Sequence, residues 1–496
     1  MKNIQIKSMF AFIGILLFSG SCANLDESPD GLLTPETFYK TTQDLGAATT
    51  AAYRPFMEFY LNAQGGIPTM GGDDVTSREG SNKLPYRSFD KFTPSPNFQW
   101  LLQHNWEPLF KTVFYSNAVI NNFENVEESF SRDAIAAEAY FLRGWAYFQL
   151  VRTFGAVPIV TGNASGDEPR SPEAEVYDLI IADLTWAEDR LPANWFGEPG
   201  RVTKWACKSL LSKVYITSAG WPLKRTENYA LAASKAQEVL DGSTHRLLDD
   251  FAELWNPANP NNKESVLAIQ ACENCGDWGL SNRMPYSIGA EAEEGGWDDY
   301  YAEISFFEDY PEGPRKDATF QTTFSGNVSW ENTSQKHPYY QKTRGYETAT
   351  ISSLNEYVIR FADVVLLFAE AQNKATGANA DAYEALNSIR RRAAGLDPDV
   401  PDSSVDLSGL SPDAFHDAVL DERAWELCAE WERWFDMVRN QIVAKATADR
   451  AFSQELELNG AVDVNSEASF EPFYYAPIPQ NEILLRPDWE QNPCCN

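Results

Sequence analysis

Apolar residues recur at helical spacing through most of the chain, which predicts a largely helical protein. In residues 133–153, for example, Ala136, Tyr140 and Trp145 fall on overlapping helical rows, and Gly155 with Pro158 ends the pattern. The same periodicity predicts further helices at residues 43–60, 173–190, 204–219, 228–240, 356–375, 381–393 and 412–443. Paired helices of this length, joined by Gly and Pro turns, are typical of tetratricopeptide units, in which each pair buries its apolar face on the next.

The periodicity disappears between about residues 250 and 350. Gly, Pro, Asn and aromatic residues dominate there, and a loop region of this length in a compact protein usually has a function. We therefore expect a single body over residues 41–496. Its parts are a helical part at about 41–250, a loop-rich insertion at about 251–350, and C-terminal helices with a tail at about 351–496.

The N-terminus carries the pattern of a lipoprotein signal. Lys2 and Lys7 precede an uncharged apolar run, and small residues stand directly before Cys22. The run is shorter than the roughly 20 apolar residues that a membrane-spanning helix needs. We predict cleavage after residue 21, lipid attachment at Cys22, and a short tether over residues 22–40. An ordinary secretory signal, in which Cys22 is incidental, is the alternative.

The charge of the chain is strongly acidic, with 72 Asp and Glu against 40 Lys and Arg. Removing residues 1–21 takes two lysines and no acidic residue, so the mature chain is two units more negative than the −32 of the whole. Such a charge opposes binding to nucleic acid and to anionic membrane surfaces. It suits neutral or cationic ligands.

Cysteines are too few for a disulfide scaffold. Cys272 and Cys275 have the spacing of a zinc or redox pair, but a second pair and suitably spaced histidines are missing, so a loop disulfide or plain thiols are favoured. Cys207 and Cys428 lie in helical patterns and are predicted core residues. No metal and no cofactor are predicted.

Four stretches of the chain match the motifs of one known family. They are residues 137–150 (AEAYFLRGWAYFQL) with 155–158 (GAVP), residues 357–371 (YVIRFADVVLLFAEA), residues 421–427 (DERAWEL) through 436–439 (DMVR), and residues 475–483 (YAPIPQNEI) with Asn492-Pro493. In this order, and with the lipoprotein signal, the chain resembles the SusD family (SusD/RagB), the surface glycan-binding lipoproteins encoded beside TonB-dependent transporters in Bacteroidetes.

That resemblance implies an all-α fold. Four tetratricopeptide-like helix pairs would form the scaffold, irregular loops would form the ligand face, and a SusC-like TonB-dependent transporter would lie beneath. It also implies a protein that is anchored by lipid in the outer membrane, faces the exterior, captures oligosaccharide and delivers it to that transporter. Capture of peptides by the same architecture, and an interaction scaffold without a ligand, are the alternatives.

Two loop regions carry the residue types that bind neutral sugars. A sugar needs a flat apolar surface for its CH groups and planar polar groups for its hydroxyls. The first region, residues 71–89, offers Asp73, Arg78 and Tyr86, and the second, residues 277–301, offers Trp278, Arg283, Trp297 and Tyr300. Trp297 is the favoured contact, because it stands between Gly295-Gly296 and Asp298-Asp299 with little local core.

The acidic residues admit other interpretations, which carry less weight. The cluster Glu291, Glu293, Glu294, Asp298 and Asp299 lacks the regular spacing of a calcium loop, so solvated charge is favoured over calcium. Pairs of carboxylates hydrolyse glycosides when they are suitably spaced, but with this many acidic residues such pairs are uninformative. The sequence contains no nucleophile elbow, zinc-helix His pair or phosphate loop, so we predict no catalytic residue.

The segment at residues 421–439 alternates acidic and basic residues at i,i+3 and i,i+4 spacing. This predicts a helix whose charges pair along its own surface, with Trp425, Trp431, Trp434 and Phe435 packed beneath. A contact surface for the transporter is the alternative. Trp145 and Trp425, both on periodic helices, are predicted to be core residues.

Overall fold

Long helices stacked one after another form most of the protein. The computed structural model describes residues 34–78, 80, 82–162, 165–345, 351–448, 450 and 458–495. The long helices are α1 (Thr42–Leu61), α2 (Glu107–Ile120), α3 (Phe130–Phe154), α4 (Glu173–Glu188), α5 (Lys204–Ala219), α6 (Asn228–Gly242), α7 (Phe361–Thr376), α8 (Ala380–Ala393) and α9 (Pro412–Leu427). Each helix from α1 to α8 packs against the next, and α7 also packs against α9. The predicted all-α architecture is confirmed.

The helices begin where polar caps satisfy their first N–H groups. The hydroxyls of Thr41 and Thr203 accept hydrogen bonds from the backbone N–H groups of Asp44 and Ala206, at 3.2 and 3.3 Å. Helix α5 therefore has the predicted bounds. One apolar cluster extends from Ala52 to Trp489 and includes Trp145, which is confirmed as a core residue. Among the described residues, no helix combines the length and apolar character needed to cross a bilayer.

Short helices and strands connect the long ones. The strands used below are β1 (Val75–Thr76), β2 (Ser265–Ile269), β3 (Tyr301–Ala302) and β4 (Glu356–Arg360). Other two-residue pairs join Val157–Pro158 to Arg170–Ser171, Phe320–Gln321 to Tyr339–Tyr340, and Thr323–Phe324 to Val328–Ser329. Short α-helices also lie at Pro35–Phe38, Leu84–Asp90, Gln99–Leu101, Met284–Ser287, Glu291–Glu294, Ile304–Asp309, Pro314–Thr319 and Gln480–Leu485.

The helix predicted at residues 356–375 is wrong at its start. Residues Glu356–Arg360 form β4, which pairs antiparallel with β2 in the region predicted to be loop. Tyr357, Val358 and Ile359 are β-branched or aromatic and fit an extended strand better than a helix. The helix α7 begins only at Phe361.

The helix predicted at residues 412–443 is interrupted. Helix α9 ends at Leu427, Ala429 and Trp431 take left-handed φ values of 58° and 66°, and α10 (Arg433–Asn440) and α11 (Val443–Ala448) follow. The backbone N–H of Ala429 donates to the Asp74 carboxylate at 2.9 Å. This contact with a residue far away in the sequence supports the break.

The charges of residues 421–439 do not pair along one helix, so that prediction is wrong. Glu426 accepts hydrogen bonds from Arg315, Arg360 and Arg392, which belong to other parts of the chain. Only Asp436 and Arg439, at 2.8 Å, form a pair at i,i+3. The carboxylates face the core, where a charge needs a partner brought in by the tertiary fold.

The cysteine predictions are resolved in favour of structural roles. Cys272 and Cys275 form a disulfide with their Cα atoms 5.6 Å apart. Cys207 and Cys428 are fully buried, as predicted.

Candidate functional site

The two loop regions predicted to carry the ligand contacts meet in space. Strands β1 and β3 pair antiparallel, with Val75 opposite Ala302 and Thr76 opposite Tyr301. The Ser77 hydroxyl donates to the Asp299 carbonyl at 2.7 Å, and the Lys83 ammonium pairs with the Asp299 carboxylate. These contacts fix the first loop against the second.

An aromatic pair lies in the second loop region, residues 277–301. The rings of Trp297 and Tyr286 are stacked, with centroids 5.2 Å apart and planes 12° apart, and both side chains are partly exposed. The Trp297 N–H also donates to the Tyr286 carbonyl at 2.8 Å. We call Trp297 and Tyr286 the aromatic platform.

The turn before Trp297 requires its glycines. Gly295 ends the helix Glu291–Glu294 with φ at 79°, a region that favours glycine. A Cβ atom on Gly296 would lie 2.0 Å from the carbonyl oxygen of Gly289. The close approach of these two backbones holds the indole of Trp297 against Tyr286.

The acidic cluster beside the platform is occupied by contacts within the protein. Asp298 is buried and accepts from the Tyr339 hydroxyl at 2.7 Å, and Glu294 pairs with Arg344 at 2.8 Å. Burial raises the pKa of Asp299, against the attraction of Lys83. The prediction of solvated charge is therefore wrong for these residues, because the carboxylates hold the loop together.

Two arginines at the site differ in their partners: Arg78 contacts carboxylates and Arg283 contacts a backbone carbonyl. Arg78 pairs with Glu291 at 2.5 Å and approaches Asp298 at 3.5 Å, and its side chain is 24% exposed. Arg283 is partly exposed and donates through Nε to the Leu61 carbonyl at 3.3 Å. Its own carbonyl accepts from the Tyr286 N–H at 3.1 Å, which places Arg283 beside the platform.

Three of the predicted contacts are not available at the platform. Tyr300 has no exposed surface and packs against Trp431, and Tyr86 has none and packs against Trp100. Burial removes both rings from any ligand, so these predictions are wrong. Asp73 faces a different cavity, where its carboxylate binds Arg433 at 2.6 and 2.7 Å.

Two predicted residues lie outside what the structure describes. Cys22 precedes the first described residue. The backbone of Trp278 begins the 3-10 turn Trp278–Leu280, but its side chain is not among the described ones. The roles of both residues stay predictions.

Sequence reasoning missed one residue of the platform and an aromatic residue beside Tyr86. Tyr286 was one aromatic among many in the insertion, and only its stacking on Trp297 distinguishes it. Trp100 is partly exposed and lies 6.5 Å, centroid to centroid, from His104. Burial and the nearby Arg283 guanidinium lower the pKa of His104 to about 4, so its ring is neutral near pH 7. Aromatic residues near Pro94 and Pro96 were the available signal for Trp100.

Comparison with known proteins gives consistent matches along the chain. A sequence model of the SusD family matches residues 294–494, and a model described as starch-binding associating with outer membrane matches residues 69–216. SusD-like protein P2 of Formosa agariphila is 27% identical over 521 residues, which cover 96% of this chain and 97% of that protein.

Solved structures share the fold. A SusD homologue from Bacteroides thetaiotaomicron is 25% identical and has a TM-score of 0.79, covering 92% of this chain and 98% of that one. A laminarin-binding SusD-like protein is 24% identical and has a TM-score of 0.73, covering 92% of this chain and 100% of that one.

Proposed function

The chain belongs to the SusD family, and from that premise we propose that it is a surface glycan-binding protein. It captures oligosaccharide on the aromatic platform and delivers it to a SusC-like TonB-dependent transporter in the outer membrane. Cys22 carries the lipid that anchors it, and the body faces the exterior. The protein binds its cargo and does not transform it.

The stacked pair of Trp297 and Tyr286 is the observation that supports this proposal. Its partly exposed rings offer a surface on which the CH groups of a sugar ring can lie. Arg283 and Arg78 stand beside it as donors for hydroxyl groups. A laminarin-binding relative has the same fold, which supports a glycan as the class of ligand.

Replacing Trp297 with alanine is expected to weaken binding about five- to hundredfold, because burial against one sugar ring contributes roughly 1–3 kcal/mol. Isothermal titration against panels of oligosaccharides and peptides first identifies a ligand of the wild-type protein. The same titration with Trp297→Ala then measures the loss. Unchanged affinity in Trp297→Ala, or binding of peptides alone, contradicts the platform as a glycan site.

Two further variants separate binding from folding. Phe196→Ala removes an aromatic ring that is 91% exposed and should leave both affinity and melting temperature unchanged. Trp145→Ala empties a core position and should cost about 3–5 kcal/mol of stability. Trp297→Ala should resemble Phe196→Ala in melting temperature and differ from it only in affinity.

Replacing Cys22 with alanine is expected to release the protein from membranes, because the thiol that takes the lipid is lost. Detergent-free fractionation of cells without the transporter measures the distribution of the protein. The wild-type chain should sediment with membranes and Cys22→Ala should stay in the soluble fraction. Equal sedimentation of the two proteins contradicts the lipid anchor.

A further inference from the structure

A cavity of about 410 Å³ lies beside Asp73, which forms part of its lining. Its volume is within the roughly 300–1,000 Å³ that small-molecule sites occupy. One wall is a single face of α9, because Asp417, Leu420, Asp421, Ala424 and Trp425 follow the i, i+3, i+4, i+7, i+8 rule. The rest of the lining comes from Asp73, the helix Ile304–Asp309, Arg433, Ile442 and residues of α11.

Three of the four carboxylates in the cavity lining have no partner among the described residues, and all three are exposed; the fourth, Asp73, pairs with Arg433. Among the described residues, none donates a hydrogen bond or forms an ion pair to the side chains of Asp309, Asp417 or Asp421. Asp417 and Asp421 stand at i,i+4 on α9, a spacing at which like charges destabilise a helix. Burial raises the pKa of Asp421; Arg433 and Lys445 oppose this shift, whereas Asp417 adds to it. These charged groups therefore interact electrostatically across the cavity.

Arg433 gives a second, independent sign of a missing partner. Its side chain is 10% exposed, and Nε and Nη2 donate to Asp73. The Nη1 atom is buried and has no hydrogen-bond partner among the described residues. A buried donor without an acceptor is costly, and an oxygen atom in the cavity would relieve that cost after a small shift of the guanidinium.

Trp425 supplies the apolar part of the cavity. It was predicted to be a core residue, but it is partly exposed and lines this space together with Phe306. An aromatic ring with unpaired carboxylates and donors around it is the combination that a pyranose ring requires.

We propose that this cavity is a second carbohydrate site, which takes a neutral or amine-bearing pyranose and rejects uronic acids. The charges determine that choice. Asp73, Asp309, Asp417 and Asp421 face only Arg433 and Lys445, so the lining carries an excess of negative charge. A sugar carboxylate would be repelled, whereas a protonated amine would be attracted. The site does not use Trp297 and is separate from the aromatic platform.

Ligand-observed NMR titration with three probes tests the proposal on the full mature chain. The probes are D-glucosamine, methyl β-D-glucopyranoside and D-glucuronate. We expect glucosamine to bind at least tenfold more tightly than glucuronate, with the neutral glycoside between them. Glucuronate binding as tightly as glucosamine, or no binding of either glucosamine or the neutral glycoside, overturns the proposal.

Variants then locate the binding. Trp425→Ala should weaken binding of the neutral glycoside at least tenfold, and Asp421→Asn should reduce the preference for glucosamine without lowering the melting temperature. If Trp425→Ala fails to fold, the probe preferences of Asp421→Asn and Asp417→Asn still test the proposal. Unchanged probe preference in both Asp variants overturns the proposal. The effect of Trp297→Ala on oligosaccharide binding tests only the platform. The proposal for the platform and the proposal for the cavity can therefore be contradicted independently.

Discussion

Replacing Glu426 with alanine is expected to lower the free energy of unfolding by about 3–5 kcal/mol, the usual cost of leaving buried charges without their partner. Glu426 is 0% exposed, and its carboxylate accepts from Arg315 at 3.0 Å, Arg360 at 3.0 Å and Arg392 at 2.7 Å. Burial opposes ionisation, but these cations hold the pKa of Glu426 at about 2. Alanine removes the charge on which three guanidinium groups converge.

Urea unfolding followed by circular dichroism measures this loss. Glu107→Ala is the matched control, because Glu107 pairs with Lys111 at 3.0 Å on the surface, where such a pair contributes less than about 1 kcal/mol. A cost below about 1 kcal/mol for Glu426→Ala would show that Glu264, Glu422 and Glu430, which contact the same cations, compensate for the missing carboxylate.

Raising the pH from 5 to 8 is expected to destabilise the wild-type protein relative to Glu356→Gln by up to about 4 kcal/mol. Glu356 is buried on β4, and burial raises its pKa to about 8. Because this value exceeds that of an unfolded glutamate, near 4.3, the folded state binds the proton more tightly. The stabilisation is complete below about pH 4 and is lost at about 1.4 kcal/mol per pH unit as the pH rises through 8.

Urea titrations of both proteins at several pH values test this prediction. Glutamine keeps the shape of the side chain but not its titration, and the carboxamide oxygen can still accept from Asn282, which donates to Glu356 at 3.1 Å. Subtracting the unfolding free energy of the variant from that of the wild type at each pH removes the contribution of every other titrating group. Parallel stability curves for the two proteins would mean that the Glu356 carboxyl is already ionised in the folded state at pH 5.

The sequence predicted those helices whose ends are determined locally. Helix α5 has its predicted bounds because Thr203 caps its start and Gly220 follows its end. The predictions failed where residues far away in the sequence determine the backbone conformation. The break after α9 depends on Asp74, and β4 is a strand because β2 lies beside it. Neither partner is visible in a local pattern.

The site could be predicted only as two regions of the chain. The residue types placed the candidate contacts in the loops at 71–89 and 277–301, and strands β1 and β3 bring these loops together. Which aromatic residues are exposed was not predictable from their glycine and aspartate neighbours. Tyr300 is buried and Trp297 is not, although they are three residues apart, because Trp431 covers one and Tyr286 supports the other.

The pairing of β1 with β3 separates the residues that hold the loops from those that face solvent. Lys83, Asp299 and Tyr300 fasten the two loops from beneath, whereas Trp297 and Tyr286 lie above them. Under the proposed function, a change of an upper residue therefore alters what the surface recognises without loosening its support. Such a surface can acquire a new preference by exchanging a few side chains, while the helices that carry it stay the same.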